Sequence, residues 1–416
     1  MKFSVILPAF VATVQAAYPG DIVQYWVDQS AILVNSTVVG GLTSPPSARF
    51  PAIVHASIYR AALQTSSQSH ASQQLAVSHA AHDALAWTFQ GVRLNNQVDA
   101  ALRNVLPAIG ISQSSNDYRR LARIGQEAAA RVTAARSNDG LNNFVDYAVQ
   151  SALPGVYQPT PGGRPLPDTP QAQFIRSFGG IEDLTAFRLP APPSATARGY
   201  DRSVDEIILL GGQNSTNRTA EQTEIAYFWQ ESSVTGWNRF ANAIVGNRLA
   251  NNVVASARFY AQLNYALANA GIASWYNKYY HNHWRPVTAI HREGVWLRSG
   301  RNVYDPGFVP LLRPTPSHPD YPSTHATFGA AAAAVLKAFN RADRIPNIGF
   351  SSNVTLDASG VITRRFNSID AAAQENSRSR IYGGIHFTYA GDQGIALGTE
   401  VAEATLALFD EHWDDF

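Results

Sequence analysis

Three short stretches carry residue types at spacings that could bind and process an oxyanion. In NKYYHNHWRP, residues 277–286, Lys278 and Arg285 stand seven residues apart, about two turns, so an uninterrupted helix would project both cations from nearly one face. Cations beside aromatics that exclude water suit a bound oxyanion, although a solvated surface pair has the same spacing. In SHPDYPSTHATF, residues 317–328, Pro322 holds the chain extended and delivers Ser323, Thr324 and His325 to the start of an alanine-rich helix. Unpaired N–H groups at a helix start attract anions, a serine hydroxyl can donate one more bond, and His325 can serve as acid or base. An ordinary serine N-cap with an incidental histidine has the same appearance. In SRIYGGIH, residues 379–386, Arg380 and His386 would face different ways on one helix, but Gly383 and Gly384 allow a bend that brings both to one point. Arg380 would there bind an anion and His386 would be nucleophile or ligand; the alternative is a core histidine behind a glycine turn.

The elements that must position these residues read as helices. From Asp21 to about Gly140 the pattern is helical, with the clearest case at Ser115 to Arg136, where Tyr118, Leu121, Ile124, Ala128 and Val132 form a stripe and Arg119, Arg120 and Arg123 lie off it. Pro45 and Pro46 fit the first turn of a helix carrying Phe50, Ile53, Val54 and Ile58, and Gln73 to Phe89 makes another. Between Leu153 and Pro193 the proline-rich composition excludes regular helix and reads as a surface excursion, a candidate lid. Helical patterning resumes at Asp201 to Leu210, Thr219 to Gln230, Asn251 to about His283 and Ala326 to Asn340, followed by a loop and a last helical stretch from Ile369. The expected fold is all-α: a signal segment at 1–17, an N-terminal helical half at 18–200 and a C-terminal half at 201–416 that carries the oxyanion stretches.

Composition narrows the function. A formal charge of +1 with 15% charged residues gives no electrostatic footprint for nucleic acid or an anionic membrane surface. Lysine occurs only at positions 2, 278 and 337, which makes Lys278 conspicuous. The run MKFSVILPAFVATVQAA has the pattern of a secretory signal, and no later apolar run approaches the ~20 residues that span a bilayer. Sequons at Asn35, Asn214, Asn217 and Asn353 agree with a secreted, extracellular glycoprotein. Cysteine is absent, so stability must come from a large core. His79 and His82 have only Asp83 close by, and His281 and His283 alternate, so neither pair makes a convincing zinc site. There is no nucleophile elbow, HExxH motif or glycine-rich nucleotide loop.

Taken in order, Lys-x6-Arg-Pro, Pro-Ser-x-His and Ser-Arg-x5-His resemble the three-part signature shared by vanadium-dependent haloperoxidases and the type 2 phosphatidic acid phosphatase family of acid phosphatases. A fainter likeness to the haloperoxidases reaches back to Trp26 and PPSARFPAIVHASIYRA. The resemblance implies four-helix bundles around the site, with vanadate as cofactor. It implies that Lys278, Arg285, Ser323 and Arg380 hold the oxyanion, Thr324 gives its backbone N–H, His386 bonds the vanadium or phosphorus atom, and His325 is the acid/base residue. Trp275 falls where haloperoxidases often carry tryptophan, and His318 where bromoperoxidases are similar, which implies hydrogen peroxide, bromide and a small organic molecule as reactants. Two positions depart from the family. Thr324 replaces a glycine and is expected to crowd the pocket, and Ala390 replaces the phosphatases' aspartate, with Asp392 two residues later. An acid phosphatase acting on phosphomonoesters, or a non-catalytic oxyanion-binding protein, are the alternative readings.

Overall fold

The computed structural model describes residues 20–38, 44–90, 94–195, 197–357 and 360–416. The segment read as a signal lies outside them. Among the described residues there are thirteen α-helices and one two-stranded sheet, so the chain is all-α in class.

The first five helices are α1 (Ile22–Val38), α2 (Ser44–Gln64), α3 (His70–Thr88), α4 (Asn95–Ile109) and α5 (Asn116–Arg136). Their boundaries have local causes. Ser69 and Ser115 each accept a backbone N–H in the first turn of the helix they cap, and Gly110, at φ 76°, closes α4 in the left-handed region. The stripe expected on α5 is where the burial falls: Leu121, Ala128 and Val132 are buried, while Arg119, Arg120 and Arg123 are exposed. A Cβ on Gly125 would lie 2.2 Å from the Ala76 carbonyl oxygen, so α5 and α3 cross almost backbone to backbone.

The second set comprises α6 (Arg198–Glu206), which runs into a π-helical turn (Ile207–Gly211), then α7 (Ala220–Phe228), α8 (Ser233–Val245), α9 (Val253–His281), the short α10 (Pro286–Ile290), α11 (Thr324–Asn340), α12 (Ile369–Tyr382) and α13 (Thr388–His412). The sequence reading missed α8. Gly236 and two asparagines interrupt its pattern, yet Trp237, Phe240, Ala241 and Ile244 all fall on its buried side. The loop expected after α11 is instead an antiparallel hairpin, β1 (Arg344–Asp357) with β2 (Gly360–Ser368). Alternating apolar residues explain it: Phe350 and Phe366 are buried against Phe228 and Phe240 of α7 and α8. Asn353 therefore lies in a strand.

α9 is the axis of the molecule. It packs on α2 at one flank and on α11 and α13 at the other, and one apolar core runs continuously through both halves. Its buried amides tie it to its surroundings: Asn264 exchanges two hydrogen bonds with Asn238, Asn269 bonds both backbone groups of Phe178, and Asn277 accepts from the Leu189 N–H. The last two tie the proline-rich segment, which runs largely over the surface, to α9. Tyr157 and Phe178 within it are fully buried, and the Asp168 N–H donates to the Ser317 carbonyl at 2.7 Å. Satisfied backbone groups, not regular structure, fix this stretch.

His55 on α2 is fully enclosed, its ring stacked 5.7 Å from Tyr260 and its Nδ1 without a hydrogen-bond partner. Burial lowers its pKa to about 3. Because the folded value lies below the unfolded one, His55 favours the fold above pH ~6.5, and this contribution is lost as the pH falls toward 3. Exchanging His55→Phe should therefore reduce acid sensitivity. The loss of unfolding free energy between pH 7 and 4.5 is expected to be about 2–3 kcal/mol smaller than in the parent, read from urea unfolding at each pH.

Candidate oxyanion site

The three chemistry-bearing stretches meet at one end of α9. Trp275 and Lys278 occupy its last two turns. The helix does not persist to Arg285 as the shared-face argument required: Asn282 takes φ 43° in the left-handed region, and Arg285 becomes the N-cap of α10. Lys278 and Arg285 converge nonetheless, because the turn between them brings the guanidinium back toward the helix end, and both side chains are fully buried.

The 318–322 segment is the object they hold. The Lys278 ammonium donates to the carbonyls of Pro319 at 2.8 Å, Asp320 at 3.0 Å and Pro322. Arg285 donates through Nε to the His318 carbonyl at 2.8 Å and through Nη1 to the Ile385 carbonyl at 2.7 Å, and its other contacts are the rings of His318 and His386 at 3.0 Å each. The His318 ring also lies against Trp275, with centroids 4.7 Å apart. The segment so fixed leads through a cis Tyr321–Pro322 bond to Ser323, the N-cap of α11. Ser323 makes no side-chain cap bond, and its buried hydroxyl has no protein partner. The same is true of His325 Nε2.

α13 is pressed against this helix start by two glycines. A Cβ on Gly394 would come 2.6 Å from the Ser323 carbonyl, and one on Gly398 2.1 Å from that of Thr327, so no larger residue fits at either crossing without backbone movement. Gly384, at φ 74°, turns the chain between α12 and α13, and the Ile385 N–H returns to the Arg380 carbonyl at 3.1 Å. The bend expected from the two glycines thus exists. Arg380 is buried in the last turn of α12, with Nη2 donating to the Trp229 carbonyl at 2.8 Å, and His386 follows the bend with 3% exposure.

The electrostatics of the cluster are lopsided. Lys278, Arg285 and Arg380 are three buried cations, and the buried carboxylate of Asp320 lies within the influence of the first two. Burial pushes the Lys278 ammonium well below its ordinary value, with Arg285 adding to the shift, and lowers Arg380 to about 9. Burial, reinforced by the neighbouring cations, also holds His318, His325 and His386 well below the usual imidazole range, so all three rings are neutral at pH 7. Burial raises Asp320 to about 7 against the pull of Arg285 and Lys278. A site with surplus buried positive charge, an unpaired hydroxyl and free first-turn N–H groups is chemically suited to a compact oxyanion such as vanadate.

The Thr324 side chain is bonded to the long helix beside it. Its Oγ1 lies 2.8 Å from Ser274 Oγ on α9, and as the first residue of α11 it has ordinary helical backbone. Thr324→Gly should accordingly not tighten vanadate binding. The expected titration shows equal or weaker affinity, with stability lower by about 1 kcal/mol from glycine's greater freedom in the unfolded chain.

Asp320 is the site residue that sequence reasoning passed over, although an acid between two prolines inside the central stretch was a visible signal. Its Oδ1 lies 2.8 Å from His386 Nδ1 and 3.9 Å from Arg285 Nη1. The approach to His386 is off the axis of an aligned hydrogen bond, and besides the Phe387 backbone N–H no group is directed at the carboxylate. Asp392 is exposed and lies near Arg378 and Glu206, while Ala390 is buried.

Fold and site together define a helical-bundle protein with a buried cationic cage at the end of a shared helix. Residues 258–415 match the family described as the VCPO second helical-bundle domain. The chain is 28% identical over 246 residues to the vanadium chloroperoxidase of Curvularia inaequalis, an alignment that covers 46% of this chain and 40% of that relative, less than half of either. Two solved structures share the fold. A bacterial vanadium-dependent iodoperoxidase superposes with a TM-score of 0.74 at 19% identity, covering 93% of this chain and 95% of that one. A holo-type bacterial vanadium-dependent chloroperoxidase gives 0.71 at 20% identity, covering 89% and 94%. Residues 258–415 thus match a helical bundle of the VCPO type, and the fold of the chain is the one seen in these solved vanadium-dependent haloperoxidases.

Proposed function

We propose that the protein is a secreted, vanadate-dependent haloperoxidase that uses hydrogen peroxide to oxidise halide, with bromide as the preferred ion. The observation that carries this reading is the surplus of buried positive charge. Three cations are enclosed, two of them acting on the one carboxylate of Asp320 and the third, Arg380, held by backbone carbonyls and a serine hydroxyl, an arrangement that burial penalises heavily unless an anion offsets it. Bound vanadate supplies the activation of peroxide toward halide.

In this reading Lys278, Arg285 and Arg380 hold the oxyanion by charge, and Ser323 Oγ and the Thr324 N–H donate to its oxygens. His386 offers Nε2 as the one neutral nitrogen ligand. His325, held neutral and with Nε2 unpartnered, would accept a proton from hydrogen peroxide at that nitrogen. His318, clamped between Arg285 and Trp275, lies beside the anion position and orients the halide. The exposed sequons Asn214 and Asn217 support an exported glycoprotein. Among the described residues, no helix is long and apolar enough to cross a membrane.

A phosphomonoesterase in the same cage is the second reading, favoured by the carboxylate beside His386, which also suits a nucleophilic histidine. One experiment separates the two. Apo-protein is given vanadate, peroxide and bromide, and in parallel a chromogenic phosphomonoester without vanadate. Bromination that requires vanadate is expected, and its absence at saturating vanadate would sink the proposal.

A further inference from the structure

We infer that Asp320 is the positioning residue for His386: its carboxylate accepts the Nδ1 proton and so fixes the tautomer whose Nε2 lone pair faces the cage. The inference rests on the reading of His386 as the residue that contacts the oxyanion.

The geometry on the two sides of the ring agrees. Asp320 Oδ1 lies 2.8 Å from Nδ1, within reach of a proton carried on that nitrogen. A guanidinium can only donate, and Arg285 Nη1 lies 3.0 Å from Nε2 against 3.4 Å from Nδ1, so the nearer nitrogen is the acceptor. Both neighbours therefore select one tautomer, the one an electrophilic centre in the cage requires.

Asp320 is well built for the task. It is fully buried, its N–H donates to the His283 carbonyl at 2.9 Å, and its own carbonyl accepts from Lys278 at 3.0 Å. The Phe387 backbone N–H acts on the carboxylate, but no side chain is aligned with either oxygen, so a small rotation of the imidazole toward Oδ1 improves the bonding of a buried group. A carboxylate behind a ligating histidine fixes ring orientation and raises ligand basicity.

The test uses full-length protein with ring-¹⁵N-labelled histidine, as parent, Asp320→Asn and Asp320→Ala. Nitrogen-15 spectra at one pH report the His386 tautomer, and ⁵¹V titration reports the vanadate dissociation constant. The parent is expected to show the Nδ1–H form. Asp320→Ala should give a mixed tautomer and vanadate binding weaker by roughly 10–100-fold. Asp320→Asn, whose amide oxygen still accepts, should keep the tautomer and fall between. If Asp320 merely counterbalances Lys278 and Arg285, removing its charge tightens anion binding in both variants and leaves the tautomer unchanged, which overturns the inference. Should Asp320→Ala not fold, Asp320→Ser is too short to reach Nδ1 and answers the same question. If parent protein binds no vanadate, the functional reading fails by itself, while the tautomer comparison still decides the role of Asp320.

Discussion

His386→Ala is expected to bind vanadate more than about a hundredfold more weakly and to show no bromide oxidation, while remaining folded. The imidazole is the neutral nitrogen placed where Arg285 and Asp320 converge, so its removal deletes the proposed ligand and not merely one of several hydrogen bonds. The scaffold should survive. Arg285 keeps its bonds to the His318 and Ile385 carbonyls, and Gly384 keeps the turn. Truncating one buried ring costs about 1–3 kcal/mol, which a core of this size tolerates. The decisive comparison is vanadate titration beside a thermal melt. Vanadate-dependent bromination that persists in this variant would remove His386 from the mechanism.

Lys278→Met should damage stability and anion affinity together. The ammonium satisfies three backbone carbonyls in the segment that leads into α11, and methionine leaves all three buried without a donor. Each orphaned acceptor costs about 1–3 kcal/mol, partly offset because a buried charge is also removed. The net expectation is a loss of about 3 kcal/mol in urea unfolding, with vanadate affinity lower by at least about tenfold from the missing cage charge. A variant that loses affinity but keeps full stability would show that Lys278 acts by charge alone and does not brace the loop.

Much of the site was legible because its chemistry is concentrated in motifs. Lys278, Arg285, Ser323, Arg380 and His386 have no ordinary reason to recur at such spacings, and in the fold Arg285 reaches His386 beside the segment that Lys278 holds. The route was less legible than the destination. Sequence ended the helix near His283 and put Lys278 and Arg285 on one face only if it continued, whereas a left-handed Asn282 breaks it, and a non-glycine residue in that conformation leaves little trace in composition. Asp320 escaped notice because a buried acid is defined by its partner, and His386 lies far along the chain. The fold divides similarly. The stripe of α5 shows its period, but α8 is interrupted by Gly236, and the hairpin's alternation was read as loop because a sequon lies within it. The proline-rich strap is ordered by asparagine side chains of another element, which no local pattern could reveal.

The place of α9 between the two helix sets bears on how this protein can be divided. The family match starts at residue 258, and a fragment cut there would keep every cationic residue of the cage. It would also strip α9 of its partners on α2, baring a flank that includes Tyr260, Leu263 and Leu267, none more than 1% exposed in the whole chain. Such a fragment would aggregate or dimerise through that face before it could present Lys278. For anyone seeking a minimal catalyst, the amino-terminal helices are part of the smallest soluble unit, and libraries aimed at the site should be built in the full chain.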